Sequence, residues 1–317
     1  MFSRPRRRTQ LLSGAAIVCL LGLSLGATAV GVNAFGAGDR FDHLLTRIDR
    51  FLAGPPPDRP TVGTIIVEDD EEPSEEPTPS PTPTPGPTGS IDPDASPTPT
   101  PEPTPAPTPV PVRAPVDVDI VAKPKTVFAT EIKDTWCAPA GVQMTLAVLG
   151  LADTSEAFQK ELQKKVRTWE SYDDSHNGDW GPAAMALALD EYGAPGYEVR
   201  AYKTRSGALR DAAKAIMKTN SPVILLAWRG AHTWVMTGFR ADADPLVFKD
   251  AKVAGAYVLD PWYPRISSIW GRSDAPGTFQ NAAEMERNYL KWKRPEGHYP
   301  DRDDLYISVV PTVPVDR

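Results

Sequence analysis

Residues 135–152 read TWCAPAGVQMTLAVLGLA. The stretch contains no charged residue, and it holds Cys137, the only cysteine outside the N-terminal segment. Pro139 suits a first helical turn, where its missing N–H would have had no partner, and Gly150 suits the turn that ends a helix. Apolar side chains fall on every face (Ala140, Val142, Met144, Leu146, Val148, Leu149), so the pattern predicts a helix packed all round rather than along one stripe. Cys137 then stands at the N-terminal mouth of a buried helix, where the positive end of the helix dipole favours thiolate. That makes it a candidate nucleophile. A lone cysteine is also one of the most commonly buried residue types, so the rest of the chain has to decide between packing and chemistry.

The chain has 317 residues, enough for one or two domains, but 35 of them are proline, so much of it does not read as globular. Its formal charge is -7, and the run Glu68, Asp69, Asp70, Glu71, Glu72, Glu75, Glu76 is large enough to account for that alone. What remains is close to neutral. No basic, aromatic-interleaved patch appears, so nucleic acid is not an expected partner. The second cysteine, Cys19, lies in the apolar N-terminal segment, which makes a disulfide with Cys137 implausible. If the domain is exported, Cys137 is an unpaired thiol in an oxidising compartment.

Residues 1–37 open with RPRRR at 4–8, followed by an uncharged stretch from Leu11 to about Ala37. Its Leu11–Val32 part is long enough to cross a bilayer core, which takes roughly 20 residues. Arginines before such a span stay in the cytoplasm and send the remainder outside. The favoured expectation is an uncleaved anchor in the cell membrane; a cleaved signal peptide competes, with Ala27-Thr28-Ala29 as the cleavage match and secretion as the result. Residues 38–54 carry Phe41, Leu44, Leu45, Ile48 and Leu52 at helical spacing and predict a short amphipathic helix, with His43 on its solvated face. Residues 55–115 read as a disordered linker, first acidic and then alternating Pro and Thr. Such a segment favours extended polyproline II and gives a stalk on the order of 100 Å or more when fully extended. Its threonines are candidates for O-glycosylation, as in a stalk that crosses a cell wall.

Residues 116–317 read as one folded domain. After the Cys137 helix, Asp153-Thr154-Ser155-Glu156 opens a charged helix to about Trp169. A polar loop leads to a third helix with Pro182 in its first turn and Gly193 past its end. Tyr197–Tyr202 reads as a strand, and Ser206 as the cap of a helix with Leu209, Ala212, Ala213, Ile216 and Met217 on one stripe. The period then changes. PVILLAW at 222–228, HTWVMTGF at 232–239 and AGAYVL at 254–259 are short runs rich in β-branched and aromatic residues, bounded by Gly, Asp and Pro, and predict strands. A helical stretch near Ala282–Trp292 and a last strand at Leu305–Val310 follow. Helices first and strands afterwards predict an α+β fold, the N-terminal helices packed on one face of a C-terminal antiparallel sheet.

His232 opens one predicted strand and Asp260 closes another, and side chains at strand ends face clefts more often than those at mid-strand. A histidine placed there serves as a base for Cys137 when a carboxylate fixes its tautomer and orientation. WCAPAGVQMTL, HTWVMTGF and VLDPWYP together resemble the motifs of papain-like cysteine peptidases of the C-thirty-nine-like group, relatives of the peptidases that trim double-glycine leaders from bacteriocins. The resemblance covers roughly Val127 to Val310. It implies a papain-like α+β fold, with Cys137 as nucleophile, His232 as general base and acid, and Asp260 as the orienting residue.

Two positions depart from that pattern. Ala138 stands where the family usually has glycine, a mild change. Glu131 stands about six residues before the cysteine, where the family places a glutamine that donates to the developing oxyanion. An ionised carboxylate cannot donate, and losing one such donor costs about 2.7 to 4 kcal/mol. Catalysis at this position needs a protonated Glu131, or another donor beside the backbone N–H of Cys137.

The expected activity is that of a membrane-anchored, extracytoplasmic cysteine peptidase-like hydrolase acting on peptide or protein substrates, with no metal and no organic cofactor. The alternatives are a cell-surface peptide-binding module impaired in turnover, and a transglutaminase-like acyl transferase sharing the Cys, His, Asp order. Trp136 and Trp262 are candidate walls of a substrate groove. His176, in the loop Asp173-Asp174-Ser175-His176-Asn177, matches no ligand spacing and reads as solvated, and His298 has no partner in view.

Overall fold

The computed structural model describes residues 62–68, 111–175, 179–293 and 299–316, together with Leu44, Leu45, Ile48 and Leu52. In chain order the elements are strands Thr64–Val67 (β1) and Val116–Asp119 (β2), then helices Cys137–Leu149 (α1), Glu156–Lys165 (α2) and Pro182–Glu191 (α3). Strand Tyr197–Tyr202 (β3), helix Arg205–Thr219 (α4), and strands Val223–Ala227 (β4), His232–Ala241 (β5) and Val253–Leu259 (β6) follow. Two short strands, Ile266–Ser267 (β7) and Gly271–Arg272 (β8), precede Thr278–Asn281 (β9), helix Ala282–Asn288 (α5) and the last strand Tyr306–Pro311 (β10).

The main sheet runs β1-β3-β10-β4-β5-β6-β9. Strand β5 is ten residues long and pairs antiparallel with β4 over 232–236, with β2 over 238–241 and with β6 along its other edge. All pairings are antiparallel except β1 with β3, which is parallel, Thr64 lying opposite Val199 and Val67 opposite Tyr202. The expectation of a purely antiparallel sheet is corrected by that strand. So is the reading of residues 55–115 as linker throughout: the β-branched run Thr64-Ile65-Ile66-Val67 adds an edge strand, and its acidic and proline-rich flanks hid it from a compositional reading.

Every residue of β4 is buried, as its unbroken apolar sequence requires of a strand covered on both faces. One face carries α1 and α3, whose Val142, Leu146, Ala184 and Leu189 pack against Val199, Ala201, Ile224, Leu226, Ile307 and Val309. The other face carries α4, whose Leu209, Ala212 and Ile216 pack against Tyr202, Leu225, Met236, Val258 and Val310. Helices therefore cover both faces rather than one, because β3, β4 and β10 present apolar side chains at both parities. The α4 cap is Thr204, which accepts from Gly207 N at 3.0 Å, rather than Ser206. The last predicted helix stops at Asn288, where Tyr289 turns extended.

Helix α1 is what the sequence requires. Residues 138–146 are buried throughout, and Gly150 closes the helix in the left-handed conformation at φ 77°. Its interior glycine, Gly141, has a specific purpose, since a Cβ there would lie 2.4 Å from Thr233 Cγ2. The missing side chain lets α1 press against the start of β5, four residues along the helix from Cys137 and one residue along the strand from His232.

Of the 38–54 stretch, Leu44, Leu45, Ile48 and Leu52 are helical and exposed. Among the described residues no helix is long and apolar enough to cross a membrane. Residues 1–37 with Cys19, and also His43, His176, His298 and the Pro/Thr-rich 69–110, lie outside the described residues.

Candidate active site

Three side chains far apart in sequence meet at one end of the sheet. Cys137 is the first residue of α1 and is half-buried, its Sγ 3.9 Å from the carbonyl oxygen of Ala231. His232, the first residue of β5, is 2 % exposed, and its Nε2 lies 2.7 Å from Asp260 Oδ1. Asp260 follows β6, and the same Oδ1 accepts from Trp262 N at 2.9 Å, which fixes the carboxylate. With Nε2 engaged by Asp260, Nδ1 is left as the ring nitrogen free to serve the sulfur.

The sequence explains how His232 is aimed. Trp228, Arg229 and Gly230 all have positive φ (51°, 62° and 86°), so the chain reverses tightly between β4 and β5. Two non-glycine residues in that region cost on the order of 1 kcal/mol or more each. Packing over-determines the turn. Trp228 donates through Nε1 to Asn288 Oδ1 at 3.0 Å and stacks on the His232 ring, with centroids 3.9 Å apart. A Cβ on Gly230 would lie 2.3 Å from the Trp292 ring.

Glu131 reaches the same place. It is 1 % exposed, and one carboxylate oxygen, the Cys137 sulfur and a His232 ring nitrogen all lie within 4.8 Å of one another. Its segment is built into the fold from two sides. Gln143 of α1 and Gln159 of α2, both buried, bond to each other at 3.0 Å, and Gln159 bonds Thr130 O at 3.2 Å and Ile132 N at 2.8 Å. From the other side Glu131 N donates to Pro261 O at 3.0 Å and Thr130 Oγ1 to Tyr263 O at 2.9 Å. Arg265 Nη1 donates to Glu131 Oε1 at 3.1 Å, while Oε2 is buried with no hydrogen-bond partner among the described residues.

The electrostatics follow from burial. Removal from water pushes the Glu131 carboxyl up to about 7, against the pull of His232 and Arg265, with Asp260 and Asp134 adding to the rise. Burial alone would lower the basicity of His232, but the Asp260 carboxylate and Cys137 outweigh it and hold the ring up to about 10. A cationic imidazole beside a sulfur and a carboxylate is an arrangement suited to thiol chemistry.

Trp262 is half-buried and lies edge-on to Trp228 at 6.1 Å, while Trp270 stacks parallel to Trp228 at 5.8 Å. These aromatic rings form a wall next to His232. Trp136 is half-buried beside Cys137, with Lys133 Nζ 5.6 Å over its ring. Sequence reasoning missed Trp228 and Arg265. Trp228 carried a faint signal, an aromatic closing the predicted strand at 222–228; Arg265 carried none, because its partner is 134 positions away.

No curated protein and no solved structure matches the chain. A model of a family described as Peptidase_C39 like matches residues 116–294, which takes in all of Glu131, Cys137, His232 and Asp260 and more than half of the sequence, and the chain belongs to that family.

Proposed function

We propose that residues 116–317 form a thiol hydrolase that cleaves peptide or other amide bonds through a thioester on Cys137. One observation carries the reading: His232 is bonded through Nε2 to Asp260 while the same ring reaches the half-buried sulfur of Cys137. In the first step the thiolate attacks the substrate carbonyl carbon, and the imidazolium of His232 gives its proton to the departing amine. His232, now neutral, takes a proton from water; the hydroxide attacks the thioester and releases a carboxylate, and the sulfur leaves as thiolate. Asp260 holds the ring in the tautomer that presents Nδ1 throughout.

The oxyanion that forms in each half-reaction needs donors. The backbone N–H of Cys137, in the first turn of α1 where helical N–H groups lack internal partners, supplies one. Glu131 supplies a second when protonated, and the rise of its carboxyl to about 7 supports that form at and below neutral pH. The sequence also supports tethering outside the cell membrane, through RPRRR and the uncharged Leu11–Val32. The test is incubation of the full chain with a peptide library. Cleavage by the parent, its loss in Cys137→Ala, and a Cys137-linked acyl adduct after acid quench are expected. No cleavage and no adduct at any pH from 5 to 9 contradicts hydrolysis.

The Arg265–Glu131 ion pair favours a second reading, a module that binds peptides without turning them over, because an ionised Glu131 repels an oxyanion. Cleavage that appears only in Glu131→Gln supports that reading. Incorporation of an added amine without hydrolysis points instead to acyl transfer.

A further inference from the structure

We propose that Glu131, Cys137 and His232 form a binding site for a divalent transition-metal ion of the Zn2+ class, so that metal and substrate compete for the Cys137 sulfur. Thiolate, imidazole and carboxylate are the three donor types that Zn2+ prefers. Here one of each converges, their ligand atoms within 4.8 Å of one another. Zinc-to-ligand bonds of 2.0 to 2.3 Å in a tetrahedron place ligand atoms roughly 3.3 to 3.6 Å apart. Ligand atoms already within 4.8 Å of one another therefore need to close by no more than about 1 Å to hold a metal. Three protein ligands leave a fourth position for water.

Two further observations point to a cation. Glu131 Oε2 is buried without a hydrogen-bond partner among the described residues, while Oε1 is already held by Arg265 at 3.1 Å. An orphaned carboxylate oxygen inside a protein is costly, and a metal bond is one way of satisfying it. In addition, a ligating histidine commonly gives its other ring N–H to a carboxylate, which sets the tautomer and raises its donor strength. His232 has that partner in Asp260 at 2.7 Å. A glutamine at position 131 would offer no anion, so the glutamate adds a ligand to the pair that the hydrolase reading needs. On binding, the metal takes the place of the proton shared by Cys137 and His232 and of the carboxyl proton that Glu131 carries at and below neutral pH, and both are released to solvent.

Co2+ serves as the spectroscopic probe, added to the chelator-treated full chain. The expected result is one equivalent bound with a thiolate-to-metal charge-transfer band, the band lost in Cys137→Ser, and affinity lowered at least about tenfold in Glu131→Gln. Zn2+ should displace Co2+ and slow iodoacetamide labelling of Cys137. A parent chain without a charge-transfer band overturns the proposal, as does equal affinity in Glu131→Gln; should that variant not fold, the Cys137→Ser comparison decides alone. Metal binding is read without any substrate. A chain that binds Co2+ but cleaves nothing refutes only the hydrolase reading, and one that cleaves but binds no metal refutes only this proposal.

Discussion

Arg265 grips Glu131 at two points, Nη1 donating to Oε1 at 3.1 Å and Nη2 to the backbone oxygen at 2.9 Å. The guanidinium fixes the direction of the carboxyl group without fully supporting its charge, since burial still pushes Glu131 up to about 7 from an ordinary 4.5. Between those two values the folded chain binds more protons than the unfolded one, so stability falls as pH rises through that window. The size is on the order of 3 kcal/mol. Urea denaturation of the metal-free chain at pH 4.5, 6 and 8 should show this decline, and subtracting the Glu131→Gln curve should isolate it. The glutamine variant should be the more stable of the two at pH 8.

His232 titrates at the other end of the scale. Its ring is held up to about 10, above an ordinary 6.5, so its contribution to stability is fully present below 6.5 and is lost as pH rises through about 10. The same proton is the one given to the leaving amine. The rate of metal-free cleavage should therefore fall on the alkaline side near 10, and Asp260→Asn should move that limb to lower pH by removing the charge that raises the ring. A limb unmoved in Asp260→Asn would mean that another group sets it.

Trp228 and Gly230 should behave differently when changed. Trp228→Ala removes the ring stacked on His232 and its bond to Asn288, and truncating a large buried aromatic costs about 3 to 5 kcal/mol. Trp228→Phe keeps the stack and loses the hydrogen bond; it should retain most of the fold while kcat drops more than KM rises. Gly230→Ala sets a Cβ at φ 86° and 2.3 Å from the Trp292 ring, and should lower the melting temperature more than Trp228→Phe does.

The sequence made some of these relationships visible and hid others. Helix α1 was legible because its eighteen-residue surroundings have no charge and carry their own start and stop signals, Pro139 and Gly150. His232 and Asp260 were legible as polar residues at the ends of apolar runs. Strand β1 was hidden by composition, with its four β-branched residues set among acids and prolines. Coverage of the sheet on both faces could have been read from the unbroken apolar run of β4, which has no polar parity. Arg265 and the Gln143–Gln159 pair could not, because only the folded chain brings them to Glu131.

A buried ion pair ties β1 to the start of α3. Arg302 Nη1 lies 2.8 Å from Asp174 Oδ1, and the Asp174 carboxylate also accepts from Ala183 N and Ala184 N at the start of α3. Arg302 Nε reaches Thr64 Oγ1 of β1 at 3.3 Å. Arg302→Met should destabilise the chain by about 3 to 5 kcal/mol, because it leaves the Asp174 charge buried and unpaired. Amide exchange should then rise first in α3 and β1. Asp174→Asn in the same background should recover part of the loss.

The pairing of Cys137 with His232 is best probed by the rate of iodoacetamide alkylation followed across pH 4 to 10 in the metal-free parent and in His232→Ala. A sulfur sharing its proton with His232 predicts alkylation that is faster in the parent than in the variant at neutral pH. Two superimposed profiles would contradict it.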